Sequence, residues 1–288
     1  MLRARVVAIV CLVASAVSAA SVRAEELPLA ERIRQHPIVA HRGGYPYDDS
    51  NTLSRFEKAR QNGSQIVEMD LRASSDGVVF LFHDKDLRYA TDNCRGPFES
   101  LTAAQIDHCR LNGLQSGPER FERVLQWSHG RVVLDAELKT ASVVRPAIEL
   151  VQRYGAYEWV YFQVRNGLAL YREVRKYDAR VALEAAPVGP HAKLYFDQLL
   201  ALNDPKLLII QLHPETLSAE NLERLHQTGK LTSIDAWRVA PERTWSFWPF
   251  SRTASCLDVW RQGIDIAITN DPEDCIRQRS ELPQEAAR

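Results

Sequence analysis

Ile66-Val67-Glu68-Met69-Asp70-Leu71-Arg72-Ala73-Ser74-Ser75-Asp76-Gly77-Val78-Val79-Phe80-Leu81-Phe82-His83-Asp84 reads as two strands around a turn. In the first, Glu68 and Asp70 are two residues apart, so their side chains share one strand face. Carboxylates on a buried face are costly unless they are paired or hold a metal. Asp76-Gly77 is a two-residue hairpin signal. With those two residues as the turn, Ser75 faces Val78 and His83 falls opposite Asp70. Directly paired side chains share a face, which would bring His83 to Glu68 and Asp70.

Working outward, short apolar strands alternate with amphipathic helical stretches. Strands are predicted at 38–41, 65–72, 78–83, 131–139, 160–163, 181–184, 206–212, 232–237 and 266–269. Helices are predicted at 52–62, 118–127, 143–154, 166–177, 191–202 and 216–228, with a short one capped by Thr102. This alternation predicts a parallel sheet covered by helices. At this length the expected form is a distorted (β/α)8 TIM barrel. The hairpin at 66–83 accounts for the one strand in excess of eight. The segment 84–117 is long for a strand–helix connection, and such loops in barrels lie over the site.

The chain has 288 residues, 45% hydrophobic and 25% charged, with a formal net charge of −1. It carries no whole-molecule field that would draw in nucleic acid, and no nucleic-acid partner is expected. Residues 1–24 read as a secretory signal: a basic start, an apolar run at 6–17, then small residues. Residues 25–288 then form one barrel domain, exported to the periplasm or secreted. Removing the leader leaves Cys94, Cys109, Cys256 and Cys275. An even count in an exported chain points to disulfides. Neighbour pairing is the simplest of the three connectivities, and it would staple the 84–117 excursion.

Asp135-Ala136-Glu137-Leu138-Lys139 repeats the alternating pattern on another strand. Glu68, Asp70 and Glu137 together would suit a hard divalent cation. The competing reading is a salt-bridge cluster with Arg72 and Lys139. His41 and His83 both end strands, and their ordinary titration range suits proton transfer. Arg42 can hold a phosphate through two parallel hydrogen bonds. Trp237, Trp245 and Trp248 are candidate aromatics for a substrate pocket, although a loop packed over the helices is the simpler reading of 245–250.

These residues resemble the glycerophosphodiester phosphodiesterase family. The matching elements are Ile38-Val39-Ala40-His41-Arg42-Gly43, Asn51-Thr52-Leu53, Ile66-Val67-Glu68-Met69-Asp70-Leu71, Asp76-Gly77, His83-Asp84, Glu137-Leu138-Lys139, Trp237-Arg238-Val239 and Thr269-Asn270-Asp271-Pro272. The resemblance implies a TIM barrel that splits a glycerophosphodiester into glycerol 3-phosphate and an alcohol. It implies one divalent cation, Ca2+ or Mg2+, on Glu68, Asp70 and Glu137. His41 and His83 would be general acid and base, and Arg42 and Lys139 would bind the phosphate. Three positions depart from the family pattern. Ser50 replaces a glutamate, Asn270 stands where an aspartate is usual, and Ala240 replaces an asparagine. Two further readings stand beside the first. One is a lysophospholipase D-like enzyme for a lysophospholipid, with membrane contact permitted but not required. The other is a non-catalytic phosphodiester-binding barrel.

Overall fold

Strand–helix alternation closes into a barrel in the computed structural model, which describes residues 27–44, 50–165, 167–239 and 255–281. The leader at 1–24 and the candidates Trp245 and Trp248 lie outside the described residues. Nine strands are present among them: β1 (Ile38–Ala40), β2 (Ile66–Ala73), β3 (Val79–Leu81), β4 (Val133–Leu138), β5 (Val160–Arg165), β6 (Ala182–Ala186), β7 (Leu207–Gln211), β8 (Leu231–Asp235) and β9 (Ile266–Thr269). Eight pair in parallel in the order β1-β9-β8-β7-β6-β5-β4-β2, and β1 pairs with β2 to close the ring. β3 lies antiparallel on β2. The helices are α1 (Leu29–Gln35), α2 (Leu53–Gln61), α3 (Ala103–Ile106), α4 (Phe121–Ser128), α5 (Ala141–Tyr154), α6 (Leu168–Tyr177), α7 (Ala192–Leu200), α8 (Ala219–Gln227), α9 (Cys256–Arg261) and α10 (Pro272–Ser280). Among the described residues, no helix is long and apolar enough to cross a membrane.

Strand alternation explains the pattern of charges. Val67, Met69, Leu71, Leu134, Ala136 and Leu138 pack into the main apolar core with residues from the covering helices. The intervening Glu68, Asp70, Asp135 and Glu137 are also buried. The β2–β4 register places Glu68 beside Asp135 and Asp70 beside Glu137. A second apolar cluster, including Val39, Ile66, Val133, Tyr161 and Ile209, takes Leu29 and Ile33 of α1. α1 is tied there by Arg32, which donates to the carbonyls of Gly130 and Glu158.

The hairpin forms, but with a register one residue from the predicted one. The observed pairs are Leu71 with Leu81, Arg72 with Phe80 and Ala73 with Val79. Phe82, not His83, donates its N–H to the Asp70 carbonyl, at 2.8 Å. The cause is a three-residue loop. Ser74 N–H donates to the Val78 carbonyl, and Gly77 N–H to that of Ser74. Gly77 sits at φ +84° while Asp76 is not at positive φ. A two-residue type I′ turn needs positive φ at both central positions, whereas a three-residue loop needs one left-handed residue.

The long segment after His83 packs Leu87, Phe98, Ala103, Ile106 and Cys109 with Phe80 and Phe82 of the hairpin into a small core. Both neighbour disulfides are present, Cys94–Cys109 and Cys256–Cys275. Thr102 caps α3 through a reciprocal capping box with Gln105.

Candidate active site

The site is assembled at the carboxyl ends of β1, β2, β4 and β5. After β1 the chain turns sharply through His41, Arg42 and Gly43. Arg42 adopts the left-handed φ of 51°. Gly43 is required by close approach, because a Cβ there would lie 2.4 Å from Arg55 Cγ. This turn aims the Arg42 N–H at Glu68 Oε2, at 2.9 Å, and sets the Arg42 Nε 2.9 Å from Asp70 Oδ2.

Glu68, Asp70 and Glu137 converge, each offering a carboxylate oxygen within 4.8 Å of the others. Lys139 Nζ bridges two of them, donating to Asp70 Oδ1 at 3.0 Å and Glu137 Oε1 at 2.8 Å. Asn51 donates through Nδ2 to Asp70 Oδ2 at 2.7 Å and accepts from the Asp70 N–H. Arg72 does not join the cluster. Its guanidinium donates to the His83 carbonyl and pairs with Glu99 Oε1 at 2.5 Å, fixing the backbone at His83.

His41 lies on one side of the carboxylates, with Nε2 3.8 Å from Glu68 Oε2. Its Nδ1 faces Asn270 Oδ1 at 2.6 Å, and its ring centroid is 5.0 Å from that of Trp237. An amide oxygen only accepts, so Nδ1 carries the proton. Despite the shifted register, His83 lies beyond the end of the strand at Leu81 and lines the cavity at the mouth. His83 Nδ1 meets Asp84 Oδ1 at 2.8 Å. His83 and Asp84 line a cavity of about 300 Å³ with Arg42, Ser50, Asn51, Tyr89, Leu111 and Asn112. The stapled excursion thus supplies one wall.

Burial and then the Asp70 charge push the Glu68 carboxyl well above its usual range. Burial acts the same way on Asp70, but Arg42 and Lys139 prevail and hold it well below. Burial, then the Arg42 charge, lowers His41 to about 4.

A family model described as the glycerophosphoryl diester phosphodiesterase family matches residues 41–248. The chain belongs to the glycerophosphoryl diester phosphodiesterase family. Its class of activity is phosphoric diester hydrolysis. A glycerophosphodiester phosphodiesterase of Caldanaerobacter subterraneus is 22% identical over 83% of this chain and 96% of its own length. A glycerophosphoryl diester phosphodiesterase of Parabacteroides distasonis superposes with a TM-score of 0.69 at 21% identity, covering 90% of this chain and 94% of that one. An Oleispira antarctica phosphodiesterase, solved with the product sn-glycerol-3-phosphate, superposes with a TM-score of 0.67 at 18% identity over 85% and 96% of the two chains.

In this glycerophosphodiester phosphodiesterase-family barrel, every predicted site residue among the described ones reaches the same mouth. Sequence reading assigned no role to Asn51, or to Arg165, whose Nε lies 3.0 Å from Glu137 Oε2. A polar residue in a strand–helix turn is a weak signal for Asn51. Arg165 had a better one, as a charge closing a mostly apolar strand at the mouth.

Proposed function

We propose that this chain hydrolyses a glycerophosphodiester to glycerol 3-phosphate and an alcohol, using one divalent cation, Ca2+ or Mg2+. The observation that carries the reading is the convergence of Glu68, Asp70 and Glu137 beside His41, Arg42 and Lys139. The donor set fits, because hard cations favour carboxylate oxygens. Those oxygens share Lys139 and Arg42 as counter-charges, as a cation would be shared. When bound, the cation would polarise the phosphoryl oxygens and neutralise developing charge.

Arg42 and Lys139 orient the phosphate by charge-assisted hydrogen bonds. We assign His41 as the base: with Nδ1–H engaged by Asn270, Nε2 keeps a lone pair toward Glu68. Nε2 takes the proton of the attacking hydroxyl, the substrate's own, which closes a cyclic phosphate that water then opens to glycerol 3-phosphate. His83, on the cavity side with Asp84, donates to the departing alcohol. The cavity beyond His83 then receives that alcohol. Export is supported by the apolar run at 6–17 and by the paired cysteines.

The test is release of glycerol 3-phosphate from glycerophosphocholine, with EDTA, with Ca2+ and with Mg2+. Turnover should need metal and fall by roughly 100-fold or more in His41→Ala and in His83→Ala. Full activity in EDTA, or in either variant, would overturn the reading.

A further inference from the structure

Arg165 is the last residue of β5. Its strand neighbour β4 carries Glu137, which pairs in register with Gln163. Arg165 therefore stands one rung nearer the mouth, on the same face. Its Nε is 3.0 Å from Glu137 Oε2 and 3.0 Å from Gln163 Oε1. Glu137 is thus held from both sides, by Lys139 on Oε1 and by Arg165 on Oε2. Burial opposes the Arg165 charge, but Glu137, Asp235, Glu68 and Glu184 surround it and keep it protonated.

Three carboxylates face three cations, Arg42, Lys139 and Arg165. Arg42 and Lys139 contact Asp70, where they compete directly with an incoming metal. Arg165 does not. It pairs with Glu137 Oε2 and leaves Oε1, the oxygen shared with Lys139, so it can stay in place when a cation takes that oxygen. Its charge then repels the metal and attracts the phosphate.

We propose that Arg165 is a positioning residue that couples metal and phosphate binding. It fixes Glu137 in a one-oxygen pose, weakens binding of the bare cation, and strengthens binding of a phosphate anion to the loaded site. The inference rests on the metal reading above.

Calorimetric titration tests it without turnover. Ca2+ and, in parallel, Mg2+ are titrated into metal-free protein, then glycerol 3-phosphate into Ca2+-saturated protein, for wild type, Arg165→Gln and Arg165→Lys. Loss of one unit charge a few ångströms away should move each affinity roughly tenfold in a partly screened site. Arg165→Gln should bind Ca2+ more tightly and glycerol 3-phosphate more weakly, and Arg165→Lys should stay near wild type. A purely structural role would weaken both together. That pattern, or any in which the two affinities do not move in opposite directions, overturns the inference while leaving the metal site standing. Absence of Ca2+ and Mg2+ binding by wild type overturns the metal reading and the inference with it.

Discussion

Glu184 shows what the barrel interior does to a single carboxyl. It is 1% exposed and accepts from Ser233 Oγ at 2.7 Å. Burial pushes it up to about 7 from an ordinary 4.5, against the pull of Ser233, Gln163 and Arg165. Between those values the native chain holds more protons than the unfolded chain, so stability falls as pH rises from 4.5 to about 7 and then levels. The loss attributable to this group is about 3 kcal/mol. Thermal unfolding compared near pH 5 and pH 8 should show that slope flattened in Glu184→Gln, and an unchanged slope would refute it. Asn270 poses a different question, because it is neutral where the family pattern has a carboxylate. It can orient the His41 ring but lends an imidazolium no charge. Asn270→Ala should lower kcat by roughly 10- to 100-fold through misplacement of the ring, with KM little changed. His41, His83 and the three carboxylates were legible as candidates from their spacing and from the family resemblance. Arg165 was not, because its importance depends on which neighbouring strand it reaches.

At the scale of elements, the reading failed where one residue of turn geometry decides a register. Asp76-Gly77 marked the turn correctly, but Ser74 closes a loop of three residues rather than two. Side-chain alternation would then send His83 to the wrong face if β3 continued that far. It ends at Leu81, and Arg72 holds the His83 carbonyl from the neighbouring strand. The short helices α1, α9 and α10 were also unread. α1 has seven residues and buries only Leu29 and Ile33, too few to establish a period. Its place comes from the ring of strands it closes. The excursion was legible through its cysteines. Cys94–Cys109 spans 15 residues, a loop that contributes about 3 kcal/mol by chain entropy. Cys94→Ser with Cys109→Ser should loosen it first, seen as faster proteolysis between 84 and 117. Because Tyr89, Leu111 and Asn112 wall the cavity, KM should rise more than kcat falls. Equal proteolysis of both forms would show that its small aromatic core suffices.

For the whole molecule, the barrel concentrates charge at one end without losing cohesion, because its apolar layers lie beside and below the site. Glu68 is met by the Arg42 N–H, Asp70 by Asn51, Lys139 and Arg42, and Glu137 by Lys139 and Arg165. The carboxylates are therefore partnered before any cation arrives, and EDTA-treated protein should remain folded. A cation that binds only the native state adds stability by mass action, about 2.7 kcal/mol at one hundred times its dissociation constant. For a chain of this size that raises Tm by roughly 5 °C or more. Asp70→Asn should abolish the Ca2+-dependent rise. It should also lower Tm in EDTA, because Arg42 and Lys139 would lose a buried counter-charge, a change that costs about 3–5 kcal/mol. The paired measurement separates the two roles of the carboxylate. A variant that loses the metal effect yet matches wild type in EDTA would mean that the internal cations do not depend on Asp70. A variant that keeps the metal effect would remove Asp70 from the ligand set.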